Sequence, residues 1–559
     1  MNENLIQIVV KSQNILRDND GLTLAEAFDE IIKILYTQSK VNQSFFTNIT
    51  SFKAEFTNYL YDEKLFKNST IDVSDESIRQ ILYLYADIDF SKDDVKGRLF
   101  EVYLGRTFTS NLGQFFTPRN VVDFLSQYLL MCVDKTDNLK ILDPSCGSGG
   151  MLTYLSRGVT NSEFVGYDVD HRLEKVSNLN LTLNNIDNYE IRNKSFLVDD
   201  FEEEFDIAIS NPPFGIKEKK EENLSKFELS RGKKSIDLEL VFIEQLLNAL
   251  KPNGVCGIVL PDGVLNNSNK SAQNVRKFLV DNANIIASVD LPAGVFKGSG
   301  TGVDTSLLIF KKKPTDITKC KMFDINYVGY ETKTKFQRPI DNNDLEDIIS
   351  GNLKPLEIEQ IYLTRRIDAK YYINSNVVKK YDSKLNKYYS LVDTKKQELL
   401  SYLDSLDEIK YIQYQDVDDK FGLIRSYTSY IDSSELPHRA SEIVRVGDVI
   451  VPRLSASVGK VGIIGEEHHG SIVSSGFLVL RPKGKYTTEF IFSLFKVKEI
   501  STQLQKLCTG SIMSCISDTY FDEVRYNNIS VEEIKNRESL IKKIFFHIES
   551  ANKLLNKNT

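Results

Sequence analysis

The chain has 559 residues, of which 41% are hydrophobic and 26% charged, and its 70 Lys and Arg against 78 Asp and Glu give a formal charge of −8. That length predicts several domains, and with no long apolar run or signal-peptide pattern in view we expect a soluble, cytoplasmic protein with no membrane partner. The acidic balance weighs only slightly against a nucleic-acid partner, because a cleft needs a local positive field that acidic helices elsewhere can mask in the sum.

Apolar residues recur at helical spacing in LAEAFDEIIKILYTQ and again in SIRQILYLYADI, so residues 1–103 are predicted to form a helical N-terminal domain. From Leu139 to Phe310 short β-branched runs alternate with helical segments: KILDPSCG, EFVGYDVD, FDIAISNPPFG, GVCGIVLP, NIIASVDLP and TSLLIFKK. This alternation predicts an α/β domain over 104–313, doubly wound and Rossmann-like, with a mostly parallel sheet. A lysine-rich and then polar stretch, 314–363, reads as a connector. Residues 364–559 mix short strands (DVIVPRL, KVGIIG, GFLVLRP) with a closing helix from Val531 to Leu555, which predicts a separate α/β domain ending in a long helix. The six cysteines include no C-x-x-C pair and the histidines, His468 and His469 among them, show no H-E-x-x-H spacing. No disulfide framework and no metal site are expected.

The residues that carry chemistry cluster in the second domain. In ILDPSCGSGGML, Asp143 ends a strand, and Gly147, Gly149 and Gly150 make a tight turn that opens a helix, a loop whose bare amides a ligand can approach. About twenty residues on, the next strand ends in GYDVD, where Asp168 has the place of an acidic residue that hydrogen-bonds a ribose hydroxyl pair. After the apolar strand FDIAIS come Asn211, Pro212, Pro213 and Phe214. An aromatic amine delocalises its lone pair into the ring, and methyl transfer to it requires that this be undone. Two acceptors, the Asn211 side-chain oxygen and the Pro212 carbonyl, can hold the two N–H bonds and push the nitrogen towards tetrahedral geometry. The paired prolines fix the turn, and Phe214 offers a face for an extruded base.

On these motifs the sequence resembles the γ-class amino-methyltransferases of DNA, and within them the modification subunits of type I restriction-modification systems. The resemblance runs from about Ser91 to Lys313. It implies S-adenosylmethionine as cofactor, adenine N6 in double-stranded DNA as methyl acceptor, and base flipping. In GQFFTPRNVVDFL, Gln114, Phe115, Phe116, Thr117, Pro118 and Arg119 match the motif that contacts the methionine end of the cofactor. DPSCGSGG, with Asp143, Ser145, Gly147, Ser148, Gly149 and Gly150, matches the glycine motif, Asp168 the acidic motif, and Asn211 to Phe214 the catalytic one. Asp199 or Asp200, in FLVDDF, resembles the residue that contacts the cofactor adenine, and the sequence leaves the two open.

The C-terminal part resembles the target-recognition half of type I specificity subunits in IDAKYY, VGDVIVPRLSASVGKVGIIG, SSGFLVLRP and TGSIMSCIS. One chain would then hold a catalytic and a single recognition module, which implies pairing of two copies through the long C-terminal helices, and a separate restriction subunit as a further partner. Lys217, Arg439, Arg445, Arg453, Lys460 and Arg481 are candidate DNA contacts, and the charged run around Lys217, Lys219 and Lys220 reads as a mobile loop over the site. Rival readings are a methyltransferase of a protein glutamine or of RNA, since the Asn-Pro-Pro-aromatic motif serves any planar amide or amine, and a DNA-binding subunit that turns over only with partners. A cytosine-C5 enzyme is excluded because no cysteine follows a proline. A nuclease of its own is not expected, since Asp62-Glu63-Lys64 lacks the spacer between acid and lysine.

Overall fold

The computed structural model of the chain describes residues 3–41, 51–61, 63, 66, 68–86, 101, 116–314, 317–334, 337–378, 383–384, 392–393, 406–483, 486–510, 515–521, 523–526 and 530–557. It resolves into two compact units, the first comprising Met1–Leu265 with Lys270–Asp368, the second Asn266–Asn269 with Ala369–Thr559.

The first unit is built on a nine-stranded sheet. Its strands are β1 (Lys140–Asp143), β2 (Glu163–Tyr167), β3 (Tyr189–Arg192), β4 (Phe205–Ser210), then, after a two-stranded ribbon of β5 (Lys217–Glu218) and β6 (Ile236–Asp237), β7 (Leu250–Pro261), β8 (Ala283–Asp290), β9 (Thr305–Lys312) and β10 (Lys319–Asp324). A second ribbon, β11 (Val328–Tyr330) with β12 (Pro339–Asn343), precedes the last sheet strand, β13 (Leu356–Glu359). The spatial order is β13-β10-β8-β9-β7-β4-β1-β2-β3. Strands β3, β2, β1, β4 and β7 are mutually parallel, β9 runs antiparallel between β7 and β8, and β8 pairs parallel with β10. Winding leaves β1 for β2 and β3 and then returns to β4, so the order reverses between β1 and β4. In such sheets a crevice opens beyond the carboxyl ends of the strands at that point. β1, β4 and β7 are buried on both faces, which explains their continuous apolar runs.

Two expectations change at the edges of this unit. Residues 314–363, read as a connector, supply β10 and β13 to the sheet. β10 escapes notice because lysines alternate with its buried Cys320 and Met322, a period-two strand whose outer face is charged. The N-terminal helices Glu3–Asp20, Leu24–Lys40, Phe52–Tyr61 and Asp75–Tyr85 form their own core, but that core also takes in Leu173, Val176, Leu179 and Leu183 from the helix His171–Leu183. They therefore belong to the same compact unit as the sheet. Thr23 starts the second helix with a reciprocal cap, its hydroxyl accepting from Glu26 N while Glu26 accepts from Thr23 N at 2.8 Å.

The second unit contains two four-stranded sheets. One is centred on Val449–Pro452 paired antiparallel with Phe477–Pro482, the other on Ile409–Ile412 paired parallel with Ile472–Ser474. The closing helix runs Val531–Lys557 and packs on Thr488–Phe495, with Phe492 and Phe545 edge to face at 5.9 Å. Among the described residues no helix is long and apolar enough to cross a membrane.

Candidate active site

β1 ends at Asp143, β2 is followed by Asp168 and β4 by Asn211, so three separate motifs meet at one end of the parallel sheet, on either side of the β1/β4 reversal. The loop after β1 needs left-handed backbone at Gly147 (φ 55°) and Gly149 (φ 77°). A methyl group built on Gly147 would meet nothing within 4 Å, so the peptide is open to a ligand, whereas one on Gly149 would press on Leu181 and Ser177 at 3.0 and 3.1 Å. Gly150 begins the helix Gly150–Ser156.

The loop is clamped by polar side chains. Gly147 N–H donates to Asp168 Oδ2 at 3.1 Å, and Asp170 N–H donates to Asp168 Oδ1 at 2.9 Å. Burial pushes the Asp168 carboxyl up to about 6 against those two N–H donors. Asp143 is 1% exposed and accepts Ser145 N–H at 3.1 Å, and burial, reinforced by the charge of Asp168, raises it to about 8. Each carboxylate oxygen of Asp168 has a second lone pair with which to accept from a ribose hydroxyl. A glycine turn with open space over it, beside two carboxyl groups at strand ends, fits the ribose and methionine ends of S-adenosylmethionine.

Asn211 is held from both sides. Its backbone carbonyl accepts from Ser145 Oγ at 3.1 Å, and its Nδ2 donates to Thr117 Oγ1 at 2.9 Å. Pro212 is buried and Pro213 half-buried. Phe214 is 7% exposed, its ring edge-on to the fully buried Phe296 with centroids 6.2 Å apart. Of the charged run that follows, Lys217 lies in the β5/β6 ribbon, its ammonium 2.9 Å from Asp237, while Lys219 and Lys220 form the short link to the helix Glu221–Lys226.

In the segment before the glycine loop, Gln114 and Phe115 lie outside the described residues. Phe116 is half-buried with its carbonyl accepting from Ser299 Oγ at 2.6 Å, Thr117 reaches Asn211, and Pro118 caps the helix Arg119–Leu130. The Arg119 guanidinium donates to Glu101 Oε1 at 2.5 Å, and Ser148 Oγ donates to the same oxygen at 2.9 Å. Asp199 is tied into a network: it accepts from Tyr167 OH at 2.8 Å and Lys194 Nζ at 2.6 Å, and although burial pushes its carboxyl up, Lys194, Tyr167 and Arg192 together bring it below the usual range. Asp200 is instead 91% exposed and pairs with Lys226 at 3.0 Å.

Sequence reasoning missed Glu101, which ties Arg119 to the glycine loop, and also Ser177 and Asn180. Ser177 Oγ donates to Gly147 O at 3.0 Å, and Asn180 Nδ2 to Ser148 O at 2.9 Å. Two fully buried polar residues three apart on the helix after β2 are the signal that points to them.

The basic residues of the second unit divide. Arg439 and Arg445 are exposed. Arg481 is spent internally, its guanidinium on the buried Asp448 at 3.0 Å and on Ile443 O at 3.1 Å. Arg453 pairs with Asp518 at 2.6 Å and also reaches Phe477 O, and Lys460 donates to Tyr414 O at 3.2 Å.

The type I restriction enzyme MpnII methylase subunit of Mycoplasma pneumoniae is 28% identical over 343 residues, 55% of this chain and 61% of its own length. The EcoEI methylase subunit of Escherichia coli is 29% identical over 272 residues, covering 44% and 52% respectively. The chain thus spans between half and two thirds of the length of these relatives. In fold it is similar to the type IIG restriction endonuclease BpuSI, with TM-score 0.51 and 12% identity over 97% of this chain and 74% of that one. The N-6 DNA methylase family model matches residues 91–382, more than half of the 559, and the chain belongs to that family.

Proposed function

We propose that the chain is a site-specific DNA methyltransferase that places a methyl group on adenine N6, as the modification component of a restriction-modification system. The observation that carries this reading is the convergence at one sheet end of Asn211–Phe214 with the glycine loop and Asp168, the Asn211 carboxamide fixed by its own hydrogen bond. S-adenosylmethionine, when bound, supplies a methyl group on a positively charged sulfur.

Gly147 and its neighbours hold the cofactor at the loop, Asp168 takes its ribose hydroxyls, and Asp143 lies beside them. Asn211 Oδ1 and the Pro212 carbonyl accept the two N–H bonds of an adenine extruded from the duplex, turning its lone pair out of the ring plane. Phe214, backed by Phe296, forms an aromatic wall of that pocket. The active site requires no metal and no covalent intermediate. The second unit reads the DNA sequence, with Arg439 and Arg445 as its exposed cationic candidates. Two copies pair through Val531–Lys557, which offers Leu540 and Phe546 at 58% and 65% exposure. Both relatives above are named as subunits, which favours a second reading in which turnover needs a partner chain.

The test is single-molecule sequencing of genomic DNA from a methylation-free host expressing the chain or its Asn211→Ala variant. N6-methyladenine in one sequence context, present only with the unaltered chain, is the expected result. A mark that survives the substitution would refute the catalytic assignment. No mark in either strain would favour the partner-dependent reading, to be tested by co-expressing candidate subunits.

A further inference from the structure

We propose that Thr117 is a positioning residue that sets the rotamer of the Asn211 carboxamide, rather than a contact of the cofactor's methionine end; the inference rests on the catalytic reading of Asn211. Thr117 is 9% exposed and its Oγ1 accepts from Asn211 Nδ2 at 2.9 Å. An amide has one branch that only donates and one that only accepts, and an amine can be held by the accepting branch alone. Committing Nδ2 to Thr117 turns Oδ1 the other way.

The threonine is itself anchored on both sides of its peptide. Ser299 Oγ donates to the preceding carbonyl, Phe116 O, at 2.6 Å, and Arg119 Nη1 donates to Thr117 O at 3.4 Å while its other terminal nitrogen holds Glu101. Asn211 is anchored separately, through Ser145 on its backbone carbonyl. A β-branched side chain on a pinned backbone keeps its hydroxyl in one place. The hydrogen bond therefore joins two independently fixed segments, and with Nδ2 on the threonine hydroxyl Oδ1 faces away from it.

Valine keeps the shape of threonine and loses the acceptor, whereas serine keeps the hydroxyl. Turnover is measured with tritiated S-adenosylmethionine and unmethylated genomic DNA, and binding of S-adenosylhomocysteine by calorimetry, which needs neither DNA nor a second chain. Thr117→Val is expected to lower kcat roughly 10- to 100-fold, with Kd for S-adenosylhomocysteine changed by less than about twofold, and Thr117→Ser to recover most of the loss. An unchanged kcat in Thr117→Val, or a Kd weakened roughly tenfold as expected of a direct cofactor contact, would overturn the proposal. Asn211→Ala distinguishes the two levels. If it is inactive while Thr117→Val is fully active, only the positioning role fails; if it turns over normally, the catalytic reading fails and the positioning role with it.

Discussion

The open end of the parallel sheet and the sheets of the second unit use polar side chains in opposite ways. Around β1, β2 and β4 the polar groups hold backbone: Asp168 grips Gly147 N–H, Ser177 and Asn180 hold loop carbonyls, and Ser145 holds that of Asn211. The loops they fix present amides and carbonyls to whatever binds. In the second unit the charged groups hold one another, as Arg481 does Asp448 and Arg453 does Asp518. Residues chosen by motif and spacing converge in space, while residues chosen by charge alone mostly turn out to be committed inside the fold. A guanidinium facing a buried carboxylate has a structural task already.

Five variants, one of them followed through a pH series, test that contrast, from the largest expected effect to the smallest. Asn211→Ala should lower turnover by roughly 10²- to 10³-fold with the binding of S-adenosylhomocysteine nearly unchanged, since it removes the acceptor proposed for the reacting amine; steady-state kinetics and calorimetry together check it. Arg481→Ala should cost the second unit about 3 kcal/mol, because Asp448 is left buried without its countercharge. Denaturant melts read this, and a fully stable variant that loses DNA affinity would instead make Arg481 a recognition residue and blur the contrast. Asp168→Ala should weaken S-adenosylhomocysteine roughly 10- to 100-fold by calorimetry, the range for a lost hydrogen bond to a charged group, while kcat at saturating cofactor is largely kept.

The pH dependence has a definite sign. The Asp168 carboxyl titrates at about 6 in the folded chain, against about 3.9 when unfolded, so between those values the folded state binds the extra proton. Its contribution to stability is therefore greatest below about pH 4 and is lost as pH rises through about 6. Asp168→Asn should flatten that part of the stability profile by about 2 kcal/mol, whatever constant offset it adds, as thermal melts between pH 4 and 8 would show. The smallest effect is expected from Arg439→Ala with Arg445→Ala: a few-fold loss of DNA affinity together with a salt slope shallower by about two, if both meet phosphates.

The strand ends that carry the proposed chemistry are legible in the sequence because each closes a strand of four to six residues with an apolar centre and breaks at an acid or at Asn211 and its proline pair. The place of β9, reversed between β7 and β8, is not legible, since TSLLIFKK reads the same in either direction of pairing. Nor is Glu101, whose partner in the glycine loop lies 47 residues away. Asp199 and Asp200 are equivalent neighbours in sequence, and only their surroundings in the fold tell them apart, Tyr167 and Lys194 on the first, solvent and Lys226 on the second.

The helix His171–Leu183 is buried along two faces, one in the core of the N-terminal helices and one supplying the hydroxyl and amide that hold the glycine loop. It joins the two through one rigid element. Deleting the N-terminal helices would strip the cover from Leu173, Val176, Leu179 and Leu183 and so loosen the footing of the loop itself, which makes cofactor affinity a gauge of whether that distant bundle is in place.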